Sequence, residues 1–157
     1  MPVKLCKAQS LKLCNRSCES PYVPLISLKI ICAVSYNSCM AYDVEVTPEF
    51  ERWYRDLDDA ASDVVRNYVD LLAEVGPTLG RPYADSLHGS RISNLKELRP
   101  QAQGRPLRVF FAFDPRRVAI VLLGGDKTGD KRFYDRLIPL AEQFYDRHLR
   151  DLEKEHD

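Results

Sequence analysis

Apolar and polar residues follow two different rhythms along this chain, and the points where the rhythm changes mark its elements. From Ala41 to Val46, Tyr42, Val44 and Val46 interleave with Asp43 and Glu45, the period-two pattern of a half-buried strand. At Thr47-Pro48-Glu49 the period lengthens. Thr47 can cap a helix, Pro48 suits the first helical position, and Glu49 complements the positive end of the helix dipole. Phe50, Trp53, Tyr54 and Leu57 then recur at helical spacing, which predicts a short helix with one buried aromatic face. Asp58-Asp59 caps a second helix with the stripe Ala61, Val64, Val65, Tyr68, Leu71, Leu72 and Val75, and Gly76-Pro77 ends it. So short a junction predicts an antiparallel helical hairpin. Residues 78–93, with Gly80, Pro82 and Gly89 among a few apolar anchors, read as a loop.

Three short apolar runs occupy Leu95 to Lys127, separated by turn residues around Pro100–Pro106 and at Asp114-Pro115. Three antiparallel strands are the natural reading. In the middle run, alternation puts Leu107, Val109, Phe111 and Phe113 on a core face and Arg108, Phe110 and Ala112 on the other. In the first run, Glu97 and Arg99 share one face, Lys96 and Leu98 the other. Closure about Gln103-Gly104 sets Arg99 opposite Arg108. Two facing cations repel, so such a pair belongs in open water or where an anion binds. After the third run, Asp130 caps a last helix with the apolar face Phe133, Leu137, Ile138, Leu140, Ala141, Phe144 and Tyr145. Pro139 predicts a kink or break near Leu137. The charged tail is expected to fray from His148 onward. The whole predicts an α+β fold: a helical hairpin and a C-terminal helix packed on a mostly antiparallel four-stranded sheet. The first strand joins the sheet from outside the three-strand meander.

Composition separates the start of the chain from the rest. All five cysteines, Cys6, Cys14, Cys18, Cys32 and Cys39, precede Met40. An odd number cannot close into disulfides within one chain, and the Cys14/Cys18 spacing finds no second ligand pair for zinc. The same stretch carries Lys4, Lys7, Lys12, Arg16 and Lys29 against Glu19 alone. Its apolar run Val23 to Val34 is too short and too interrupted to span a membrane. Residues 1–39 are therefore expected to be a non-native or disordered extension upstream of a domain beginning at Met40. The domain is expected to cover 40–150, with 151–157 as a charged tail. The formal net charge of the chain is zero, so any nucleic-acid site must concentrate its cations locally.

The usual catalytic constellations do not assemble from this sequence. The domain has no Cys nucleophile, no His beside a nucleophile and no carboxylate set suited to a metal phosphodiesterase. His88 lies in a Gly-flanked loop and reads as a surface or loop-packing residue rather than a catalytic one. The Gly124-Gly125-Asp126-Lys127-Thr128-Gly129-Asp130-Lys131 stretch lacks the spacing of a nucleotide-binding P-loop. One chemistry needs little from the protein. RNA carries its own nucleophile, the 2′-hydroxyl, and arginine and lysine can neutralise the charge that builds on phosphorus. No cofactor is called for.

The ordered set Leu-Lys-Glu-Leu-Arg (95–99), Arg-Val-Phe-Phe-Ala-Phe (108–113) and an apolar strand ending in Gly-Gly-Asp-Lys-Thr (124–128) resembles the RelE/ParE toxin superfamily. The nearest branch is the phage-derived, HigB-like toxins of type II toxin–antitoxin modules, and the likeness covers roughly residues 41–148. It implies a RelE-like fold and a metal-independent endoribonuclease that cuts mRNA on the ribosome. It further implies a small antitoxin partner, expected to carry a helix-turn-helix, and a cytoplasmic location with no membrane association. On this resemblance Arg108 is the main phosphate contact, Arg99 its partner and Lys127 or Lys131 the supporting cation. Lys96, Arg105 and Lys131 are further candidates for holding RNA. Tyr134 suits a proton donor or a base stack, but its place on a helix favours a structural role. The loop after the last strand departs from the relatives' pattern, and the family's terminal His or Tyr is missing there, so the general acid and base stay unassigned. A ParE-like protein that binds gyrase without cutting RNA is the alternative, as is a non-catalytic antitoxin-binding protein. In both, Arg99 and Arg108 simply pair with carboxylates such as Glu97.

Overall fold

The computed structural model describes residues 42–155. The expectations for the N-terminal 39 residues and their cysteines lie outside them. Strand β1 is Val44–Val46, helix α1 Pro48–Arg55 and helix α2 Asp59–Val75. One 3-10 turn, Gly76–Thr78, follows. The remaining elements are β2 (Ala84–Ser86), β3 (Lys96–Leu98), β4 (Gln101–Ala102), β5 (Arg105–Phe113), β6 (Ala119–Asp126) and α3 (Phe133–Glu155). The caps of α1 and α2 form as predicted, but Asp130 does not cap α3: the helix starts at Phe133, and Asp130 accepts the Arg132 amide ahead of it, at 2.9 Å. Thr47 accepts the Phe50 amide at 3.2 Å and Asp58 accepts the Ala61 amide at 2.9 Å. Thr47 Oγ1 also donates to the Leu122 carbonyl, which ties the start of α1 to β6.

The sheet is mixed and has six strands, where four mostly antiparallel strands were expected. Its order is β1-β6-β5-β3-β2, with β4 also paired to β5. β1 does join outside the meander, but runs parallel to β6. β2 falls in the stretch read as loop, because three residues are too few for alternation to show. It pairs antiparallel with β3, setting Asp85 beside Glu97. β4 resumes the first meander strand after Arg99-Pro100. Register pairs Leu98 with Val109 and Ala102 with Arg105, so the hairpin closes about Gln103-Gly104 as predicted. Both turn residues have positive φ (51° and 79°), the twist that matches two antiparallel strands.

Both faces of the sheet are covered. Leu107, Val109 and Phe111 pack with Val65, Val69 and Leu72 of α2 and Phe50 of α1. Phe110 and Ala112, on the other face, pack with Phe133, Ile138, Ala141 and Tyr145 of α3. Fully burying a side chain such as Phe110 contributes about 1.5–3 kcal/mol, so the second face is as much core as the first. Between the Phe110–Leu123 and Phe111–Val121 pairs β6 holds one extra residue, Leu122. This bulge turns Leu122 and Leu123 both toward α3. Beyond it the two glycines admit close neighbours. A Cβ on Gly124 would meet the Trp53 ring at 2.2 Å, and one on Gly125 would meet Phe133 at 2.9 Å. Gly125 is the cross-strand partner of Arg108, so the first turn of α3 closes over that arginine.

Two expectations for α3 are corrected. The helix continues through Pro139 and on to Glu155, past the point where fraying was expected. Tyr145 and Ile138 anchor it on the sheet, and Arg147 grips Glu49 of α1 with two hydrogen bonds, at 3.1 and 2.6 Å. Interactions of this kind hold a helix across a proline that propensity alone would break at.

Candidate functional site

The face of the sheet under α3 carries a cluster built around one carboxylate. Glu97 of β3 is buried, with 6% of its side chain exposed. Its Oε1 lies 3.5 Å from Arg108 Nε and 3.8 Å from Arg99 Nε, and accepts the Tyr134 hydroxyl at 3.1 Å. Its Oε2 is buried without a hydrogen-bond partner, and so is Arg108 Nε. Arg108 is 5% exposed at its side chain and its Nη1 donates to the Leu107 carbonyl at 2.7 Å. Lys127 Nζ sits 4.6 Å from the centre of the Tyr134 ring, a cation–π contact. Tyr134 in turn stacks on Phe110.

Burial pushes the Glu97 carboxyl above the usual carboxylate range. The Tyr134 hydrogen bond and the charges of Arg108, Arg99 and Lys127 pull it back without cancelling that effect. Burial also raises the Tyr134 phenol, and the adjacent Glu97 charge adds to it. Three cations thus surround one carboxylate that is itself reluctant to ionise. An anion entering here meets surplus positive charge.

Of the predicted site residues, the fold brings together Arg99, Arg108 and Lys127. Arg99 is the open member, 33% exposed, and it also reaches Asp85 Oδ2 at 3.4 Å, where Arg81 pairs at 2.6 Å. Arg108 is the closed member, held under α3. Lys131 is exposed on the loop that leads into α3. Lys96 and Arg105 lie on the opposite face of the sheet. Lys96 Nζ donates to the Pro77 carbonyl at 2.8 Å, and Arg105 pairs with Asp58 at the start of α2. Their parity in the strands, shared with Leu98 and Leu107, already placed them there. His88 is exposed, as expected. Sequence reasoning undervalued Glu97 and Tyr134. The signal for Glu97 was its alternation with Arg99. Tyr134 gave no signal beyond its helical position.

A second buried carboxylate lies at the β5–β6 turn. Asp114 Oδ1 accepts the amides of Arg116 (2.9 Å) and Val118 (3.1 Å). Its Oδ2 meets Arg116 Nε at 2.8 Å and His148 Nε2 at 3.1 Å. Arg116 reaches on to Glu45 of β1 at 3.0 Å. Among the described residues no group of three His, Cys, Asp or Glu is placed to hold a metal ion, and no helix is long and apolar enough to cross a membrane.

Residues 52–146 match the family described as Phage derived protein Gp49-like (DUF891). The chain belongs to this Gp49-like family. Two relatives come from Mycobacterium tuberculosis strain H37Rv. One, named "Putative toxin HigB3", is 50% identical over 101 residues, covering 64% of this chain and 87% of the relative. The other, named "Putative toxin HigB2", is 39% identical over 127 residues, covering 78% of this chain and 63% of the relative. No solved structure matches the chain. The HigB-like resemblance read from the strand motifs is borne out by these relatives. The matched span of the Gp49-like family contains every residue of the Glu97 cluster, from Asp85 to Tyr134.

Proposed function

We propose that this Gp49-like protein is the toxin of a type II toxin–antitoxin module and a cofactor-free endoribonuclease acting on translated mRNA. The observation that carries this reading is the convergence of Arg99, Arg108 and Lys127 on one face of the sheet, around a single carboxylate. The HigB names of its relatives support the toxin role. In the reaction the 2′-hydroxyl of RNA attacks the adjacent phosphorus in line and gives its proton to water. The 5′-oxygen of the next nucleotide leaves and takes a proton from water, so that a 2′,3′-cyclic phosphate and a 5′-hydroxyl end result. Negative charge accumulates on the non-bridging oxygens. Arg99 and Lys127, which are partly open to solvent, contact those oxygens. Arg108, buried behind them, adds its charge through a low-dielectric path where Coulomb interactions are stronger. Exposed Lys131 guides the flanking backbone. Lys96 and Arg105 would serve RNA only on the opposite face, so they contribute least. The partner is a small antitoxin with a helix-turn-helix, and the site of action is the ribosome in the cytoplasm.

The test is primer extension on cellular mRNA after brief induction, beside Arg99→Ala and Arg108→Ala controls. New 5′ ends inside reading frames, lost in both controls, are expected. A second reading has its own observation: the near-complete burial of Arg108 against Glu97 suits an arginine that is purely structural, as in a gyrase-binding toxin. Growth arrest with intact mRNA would decide for that reading.

A further inference from the structure

A site that must bind phosphate holds its own anion at the place where cations converge. Glu97 Oε1 lies within 4 Å of Arg99 and Arg108, and Tyr134 donates to the same oxygen. Yet the match is incomplete, because Glu97 Oε2 and Arg108 Nε, both buried, have no hydrogen-bond partner. A carboxylate evolved as a structural anchor would be fully satisfied, since each unmet buried group costs about 1–3 kcal/mol. Asp85 repeats the arrangement one strand away, drawing Arg99 from the outside.

Building on the phosphate-site reading above, we propose that Glu97 is an internal competitor for the ligand. Its carboxylate occupies the guanidinium groups in the resting protein, and an incoming phosphate binds only when Glu97 is neutralised or displaced. The charge then balances in the order the chemistry needs. In the resting state Glu97 offsets Arg108 in a buried setting where an unpaired charge is costly. With phosphate bound, the phosphate takes over that task, and Glu97 takes up a proton and keeps its place beside the Tyr134 hydroxyl. Binding of an anion is therefore coupled to uptake of a proton. The charged and titratable groups facing Glu97 are Arg99 on its own strand, Arg108 on β5, Lys127 after β6 and Tyr134 on α3, with Asp85 on β2 beyond Arg99.

Inorganic sulfate is the probe, because its charge is constant across the pH range in which a carboxylate titrates. Calorimetric titration of the full chain with sulfate at neutral pH is expected to show Glu97→Gln binding about tenfold tighter than the parent. Parent affinity should rise as the pH falls from neutral toward the carboxylate range, with Glu97→Gln flat over the same interval. Asp85→Asn should retain the parent's pH response, because its partners Arg81 and the Ser86 amide hold the Asp85 carboxyl below the usual range, so it titrates at more acid pH than Glu97. If Glu97→Gln does not fold, the parent's pH series carries the test by itself. Sulfate affinity that is unchanged or weaker in folded Glu97→Gln, or a pH-independent parent, overturns the proposal. Tighter sulfate binding in Glu97→Gln without mRNA cleavage in cells would uphold it and overturn only the nuclease reading.

Discussion

Two buried carboxylates border the central strand β5, Glu97 on the neighbouring strand β3 and Asp114 in the turn at its end, and they are treated in opposite ways. Asp114, whose side chain is fully buried, accepts from two amides, an arginine and a histidine. Burial alone would raise its pKa, but His148, Arg116 and the Val118 amide outweigh it, so the carboxyl titrates below the usual range. Glu97 is buried to a similar degree, yet one of its oxygens has no partner and its carboxyl is held above the usual range. Asp114 fixes a turn whose Arg117 carries a positive φ of 67°, and it fastens α3 and β1 to that turn through His148 and Arg116. Glu97 sits in surplus positive charge. A saturated carboxylate serves structure. An unsaturated one among cations is the feature on which the proposed phosphate site rests.

The comparison can be broken at either end. The largest effect is expected from Asp114→Ala, which leaves Arg116 and His148 facing a void and should cost about 3 kcal/mol of unfolding free energy by urea titration. Next come opposite pH slopes. A depressed carboxyl stabilises above its unfolded pKa, and that stability is lost as the pH falls through the folded value. A raised one does the reverse: its contribution is present below the unfolded pKa and is lost as the pH rises through the folded value. Relative to the parent, Asp114→Asn should therefore lose ground from acid to neutral pH, and Glu97→Gln should gain. Parallel slopes for the two would erase the distinction. His148→Ala removes one hydrogen bond to a carboxylate that keeps its other partners, so about 1 kcal/mol is expected from thermal melts. The smallest change should be Arg99→Ala, within about 0.5 kcal/mol of the parent, because its ion pairs are partly open to water.

Much of this was legible in the sequence where a local rule acts alone. Thr47 and Asp58 announced their caps, alternation sorted Leu107 through Ala112 between two faces, and Gln103-Gly104 set the hairpin register that brings Arg99 and Arg108 to one end. What escaped was whatever depends on tertiary cover. Alternation could say that Arg108 shares a face with Phe110, but not that α3 would bury both. Pro139 looked like a helix stop until Ile138, Tyr145 and Arg147 were seen to hold the helix on either side of it. The three residues of β2 carry no periodicity, so their pairing with β3, which brings Asp85 toward Arg99, became visible only in the fold. Asp114 and His148 are 34 residues apart, and no spacing rule joins them.

The most direct measurement sets one variant from each end side by side. Arg99→Ala and Arg116→Ala would be induced to equal soluble levels, and new mRNA 5′ ends counted by primer extension against the parent. The Glu97 end is predicted to carry the activity. Cleavage should fall at least about a hundredfold in Arg99→Ala, the scale on which losing one charge-stabilising donor slows catalysis, and persist in Arg116→Ala. Cleavage by Arg99→Ala at the parent's level, or equal loss in both variants, would contradict that assignment.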